Sequence, residues 1–202
     1  MEKITAQAYN TVGIDMIRSM MIPKWGLVKG ELYDIQWDGY LNWKVGGDRA
    51  LSLDEACEYL KRSADSPLES KELLLNRINE VKRIQRILGE ETLFVPQVSA
   101  SCLEGLYHRM GLDNFSVIMY ESPDLIDAAL DTNMNKALAM TEMINDEYDG
   151  PVVHCSDDLG MKNTTIFSPS WLREHVFPKV KVVADKIKEG GKFFSFHSCG
   201  NV

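Results

Sequence analysis

No apolar run in the 202 residues approaches the ~18 that a membrane span requires. The opening Met1–Thr5 lacks the apolar core of a signal peptide. Cysteine is scarce: Cys57, Cys102, Cys155 and Cys199 lie too far apart to form a disulfide framework. That pattern predicts a reducing, cytoplasmic setting. Basic residues are the minority, 22 against 30 acidic, for a net charge of -8. Such a balance argues against nucleic acid or an anionic membrane as main partner, since both attract a basic surface. There is no internal repeat and no low-complexity tract. Arginine is nearly missing from the first 25 residues, where Arg18 stands alone.

What remains is ordinary globular material, 45% hydrophobic and 26% charged, enough for one sizeable domain spanning 1–202. Residues 2–10 read as a helix closed by Gly13, and Ile14–Met20 as a buried strand. Leu32–Gln36 and Tyr40–Val45 alternate weakly around Asp38-Gly39, which predicts a small antiparallel excursion near residues 30–46. Trp25, Trp37 and Trp43 read as its packing. Ser52 followed by Glu55 is a capping box that starts a helix. The helical period of Leu73, Leu74, Ile78, Val81, Ile84, Ile87 and Leu88 predicts a second helix over 69–88, ended by Gly89.

Leu93–Val98 reads as a strand and 102–111 as a short helix. Over Phe115–Tyr120 local propensity favours strand, although the spacing also allows a helical turn. Ser122 and Pro123 open a long helix over 123–147. Pro151–Ser156 is a strand, 168–188 a helix closed by Gly190-Gly191, and 192–198 the last strand. Tyr107, His108 and Arg109 read as a solvated helix face, His175 as surface, and the methionines as core filling.

Apolar strands separated by helices imply parallel pairing with right-handed crossovers. Doubly wound sheets and (β/α)8 barrels both fit, and in both the chemistry gathers at the carboxyl ends of strands. The polar clusters of this chain lie there: Gln97 and Ser99, Asp157 and Asp158, His197 and Cys199. Gln97 and Ser99 are candidate substrate-binding residues. Asp157 and Asp158 are candidate catalytic carboxylates, able to move a proton, hold a substrate or add a metal ligand; equally, they suit a helix cap. His197 and Cys199, two apart on one strand, share a face and are the ligand types zinc prefers. His154 and Cys155 face opposite sides, the His hydrogen-bonded and the Cys a small hydrophobe, with Cys155 the alternative as a replacement third zinc ligand. About four strands are recognisable where a barrel needs eight. A second chain or copy completing the barrel, or a longer reading frame, is therefore expected.

Four stretches carry a resemblance. They are Ser156-Asp157-Asp158-Leu159-Gly160, Ile166-Phe167-Ser168-Pro169, Leu172-Arg173-Glu174-His175-Val176-Phe177-Pro178 and Phe196-His197-Ser198-Cys199-Gly200-Asn201-Val202. Together with Tyr120-Glu121-Ser122-Pro123-Asp124-Leu125, they resemble the uroporphyrinogen decarboxylase superfamily, strongly from about 93 onward. Within it the match is closer to cobalamin-dependent methyltransferases of the methylcobalamin:coenzyme M type. The resemblance implies a (β/α)8 barrel, incomplete in this chain, and a helix over Phe115–Tyr120. It implies that His197 and Cys199 bind zinc together with a later Cys that has no counterpart here, and it favours Asp158 over Asp157. The implied activity is methyl transfer between a corrinoid, presented as methylcobalamin by a partner protein, and a small thiol or methylated substrate. Two alternatives stand beside it. One is metal-free uroporphyrinogen decarboxylation, disfavoured by the missing arginines. The other is an accessory subunit without activity of its own.

Overall fold

The structure is a computed structural model that describes residues 2–18, 35–37, 43–45, 51–99 and 101–202. Helix α1 (Glu2–Val12) ends at Gly13, whose φ of 76° is left-handed, and strand β1 (Met16–Ile17) follows. The buried strand expected over Ile14–Met20 is thus two residues long, and Met16 is 56% exposed rather than core filling. Strands β2 (Ile35–Trp37) and β3 (Trp43–Val45) pair antiparallel with Trp37 opposite Trp43, as the excursion requires. The Asp38-Gly39 turn, Trp25 and the tryptophan packing lie outside the described residues.

Helix α2 (Leu53–Ala64) begins with the predicted capping box: Glu55 N donates to Ser52 Oγ and Ser52 N to Glu55 Oε2. Such a cap contributes about 1 kcal/mol. Of the predicted stripe, helix α3 (Lys71–Leu88) buries Leu74, Ile78, Val81 and Leu88 and packs Ile84 and Ile87 partly against the same core, while Leu73 is exposed. The strand expected over 93–98 divides at Pro96 into β4 (Leu93–Phe94) and β5 (Gln97–Val98). Proline has no N–H to continue a ladder, but its carbonyl accepts from His154 N at 2.9 Å. The segment therefore pairs with β1 through its first half and with β6 (Val152–Ser156) through its second, parallel in both cases. Strand β7 (Phe193–His197) adds to β6, again parallel. Parallel strands thus follow one another in chain order, and among the described residues they do not close into a barrel.

Helices fill the connections. Helix α4 (Leu103–Met110) leads into α5 (Leu112–Glu121), which is helical against the local strand propensity of Phe115–Tyr120. The reason is burial: Phe115 and Ile118, three apart, are both enclosed, while Tyr120 is 90% exposed. Alternation would have buried Phe115 with Val117, and Val117 is exposed. Helix α6 (Pro123–Glu147) starts with Pro123 at its first turn, but Ser122 makes no side-chain cap, contrary to expectation. Its φ of -148° and ψ of 58° are not the usual N-cap geometry. Helix α7 (Pro169–Trp171), a π-turn over Leu172–Val176 and helix α8 (Phe177–Glu189) follow one another without a break before β7.

The sheet has two unlike faces. Val98, Val153 and Cys155 point into a core with residues of α1, α3, α6 and α8. The alternate residues Gln97, His154, Ser156, Ser195 and His197 point the other way and are half-buried or exposed. A second core, around Phe115, Phe167 and Leu172, joins α2, α4, α5 and α6. No helix among the described residues is long and apolar enough to cross a membrane.

Candidate metal centre

The ladder between β6 and β7 continues one step past the strands, where Asp157 N donates to the His197 carbonyl at 3.1 Å. There the two adjacent aspartates separate. Asp157 turns inward and is 1% exposed. Its carboxylate accepts from Ser101 Oγ, from Leu103 N at 3.0 Å and from Glu104 N at 2.7 Å. Those amides open α4, whose own N-cap, Cys102, is left-handed at φ 55° and makes no cap bond. Asp157 therefore caps that helix from another strand. Burial pushes its pKa up, and the three donors hold it back. These hydrogen bonds are those of a helix cap.

Asp158 turns outward. Its Oδ1 accepts from Cys199 N at 2.9 Å and lies 3.9 Å from His197 Nε2. His197 Nε2 is in turn 3.3 Å from Cys199 Sγ. The three ligating atoms fall within 4.8 Å of one another. Two loops hold them: Leu159 N donates to Ser198 Oγ, and Asn201 N to the Met161 carbonyl. The loops lie so close that a Cβ on Gly160 would sit 2.6 Å from the Cys199 carbonyl. Gly200 is left-handed at φ 79° and equally tight against Gly160.

A tetrahedral zinc with ordinary Zn–N and Zn–S bonds separates imidazole nitrogen and sulfur by roughly 3.6 Å. The observed 3.3 Å fits, and the carboxylate supplies a third donor. Asp158 raises the Cys199 pKa by hydrogen bond and charge, with desolvation adding to it, so a cation there would have to displace the thiol proton. The site is open on one side, with His197 and Cys199 exposed. Three protein ligands with an open position is the arrangement of catalytic rather than structural zinc.

Of the other candidates, Gln97 stands beside this centre: its Nε2 donates to Ser156 Oγ at 2.9 Å, and Ser156 pairs with His197. Ser99 instead lines, with Gln97, Cys102, Asn133 and Lys136, a cavity of about 230 Å³. Cys155 is 0% exposed on the helix-facing side and does not join the three donors. His154 lies opposite it, and burial, with Arg18 and His197 nearby, pulls its pKa down. Arg18 can only donate, so His154 Nε2 accepts at 3.3 Å, which leaves Nδ1 to donate to Ser195 Oγ.

Two expectations are corrected here. Tyr107 is not on a solvated face: it is 4% exposed, and its hydroxyl donates to the Asp158 carbonyl at 2.9 Å. His175 is not surface: within the π-turn it stacks on Trp171 and bonds Asp127 of α6 at 2.9 Å. The contributions of Tyr107 and Ser101 were missed in the sequence. Their partners lie about fifty positions away, and no local spacing signals such pairs.

No family model and no curated protein matches the chain. Among solved structures, a methyltransferase from Methanosarcina mazei is similar, with 17% sequence identity and a TM-score of 0.47. The similar part covers 60% of this chain and 34% of that one, so the chain spans about a third of its neighbour's length. Similarity of this degree does not extend to activity.

Proposed function

We propose that this chain is part of a (β/α)8-type barrel enzyme whose Asp158, His197 and Cys199 hold a catalytic zinc ion. The reaction is methyl transfer between a corrinoid carried by a partner protein and a small thiol or methylated substrate. The observation that carries the metal reading is the convergence of imidazole, thiol and carboxylate within 4.8 Å at the carboxyl ends of adjacent parallel strands. Support for the methyl-transfer chemistry comes from the sequence resemblance of the segments around Asp158 and His197. Zinc bound there would act as a Lewis acid and lower the pKa of a coordinated thiol or water.

The chain's own residues do the rest. The Asp158 carboxylate receives the Cys199 amide and so aims both side chains at one point. His197, at the end of β7, presents Nε2 to the same point. Gln97 and Ser156 supply polar contacts beside it for the small substrate. A remaining set of strands, from further chain or from a partner, would enclose the open face and exclude water.

Zinc per chain, measured by elemental analysis on wild type and Cys199→Ser, tests the reading. On the order of one zinc in wild type, lost in the variant, is the expected result. No zinc in either protein would sink it.

A further inference from the structure

Tyr107 belongs to α4, an element that contributes no ligand atom to the centre. Its phenol is buried, and its ring meets Phe115 and Phe167 edge-on at 6.5 and 6.0 Å between centroids. That packing allows the ring little freedom, so the hydroxyl has a fixed position. It donates to the backbone carbonyl of Asp158, the residue whose side chain receives Cys199 N. One residue earlier, Asp157 fastens the same stretch to the first turn of α4 through Leu103 N and Glu104 N. The backbone that carries Asp158 is therefore held at two successive residues by a single helix. A residue whose carbonyl is held and whose preceding neighbour is pinned has few ways to turn its side chain, and outer contacts of this kind set how well ligands are aimed.

We infer that Tyr107 is a positioning residue: its hydroxyl fixes the Asp158 peptide so that the Asp158 carboxylate faces Cys199 and His197. The metal consequence rests on the zinc reading above, whereas the placement of Asp158 against Cys199 does not. This separates the two in experiment. Tyr107→Phe removes the hydroxyl and leaves the ring packing in place. Without zinc, amide hydrogen exchange is followed at Cys199, bonded to Asp158, and at Val153, inside β6. The expected result is faster exchange at Cys199 by about tenfold, with Val153 unchanged. Phe115→Leu keeps the hydroxyl but loosens the ring cluster, and it is expected to move both amides together. Tyr120→Phe, at an exposed position, is expected to move neither.

With zinc, a chelator competition on Tyr107→Phe is expected to show affinity weakened by about tenfold. Cobalt substituted for zinc should show a weaker sulfur-to-metal absorption band in the variant. Cys199 exchange that is unchanged, or that rises only in step with Val153, overturns the positioning role whether or not metal binds. No zinc in wild type, together with faster Cys199 exchange in Tyr107→Phe, overturns the zinc reading and leaves the positioning role standing.

Discussion

The two ends of the parallel strands are built from similar polar residues that face different things. At the amino ends, Gln85 receives Phe94 N at 2.7 Å and donates to the carbonyls of Gly89 and Thr92. Tyr148 donates to the Phe94 carbonyl, and the buried Lys192 ammonium donates to the carbonyls of Tyr148 and Gly150. These side chains end on backbone groups that the short strands leave unpaired. At the carboxyl ends, Asp158, His197 and Cys199 point their ligating atoms at one another. Polar groups that satisfy the backbone hold a fold together. Polar groups that converge on one another make a site for something else. Adjacent Asp157 and Asp158 draw the same line within two residues, one capping a helix and the other facing the site.

The largest expected effect lies at the amino ends. Gln85→Leu leaves an amide and two carbonyls without their partner, which should destabilise the protein by about 3 kcal/mol. Chemical denaturation measures this, and zinc bound per folded molecule should be unchanged. Asp157→Ala tests the structural member of the aspartate pair. It strips a buried cap from α4 and should cost about 2 kcal/mol. A loss near zero would mean that the α4 amides find other partners and that Asp157 is free for another task.

The division between ends was partly legible in the sequence. Helices with strong apolar period and local caps, α2 and α3, were readable because each signal lies within a few residues. His197 and Cys199 were readable for the same reason, lying two apart on one strand. For Asp158 the sequence leaves several roles open, a metal ligand among them, since its meeting with Cys199 depends on strands that pair across forty-one positions. Phe115–Tyr120 misled because β-branched and aromatic residues suit a strand locally, and only tertiary burial of Phe115 and Ile118 decides for helix. The cap role is legible for Asp157 but not the helix it caps, and the surroundings of Tyr107 and His175 are not legible, because each is defined by a partner brought in by packing.

A smaller effect sharpens the contrast through pH. Cys199 holds its proton more tightly than an ordinary thiol because Asp158 is beside it, with desolvation adding to the effect. Zinc must displace that proton, so acid competes with the metal. Below the raised thiol pKa, apparent zinc affinity should climb about tenfold per pH unit from this group alone. Chelator competition from pH 6.5 to 8 measures the slope. A slope near zero would mean that the Cys199 thiol is not a ligand.

The smallest effect on stability is the most telling. His197 is about half exposed and, among the described residues, bonds no buried backbone group through its ring. Without metal, His197→Ala should therefore change stability by no more than about 0.5 kcal/mol. Metal reverses the ranking. A ligand that binds only the folded state adds about 2.7 kcal/mol at a hundred times its dissociation constant. Wild type and Gln85→Leu should both gain that increment from zinc, from very different starting points, and His197→Ala should gain almost none. Thermal or urea melts with and without zinc read all three proteins on one scale. If His197→Ala were costly without metal, the imidazole would be part of the scaffold, and the carboxyl ends would be structural in the same way as the amino ends.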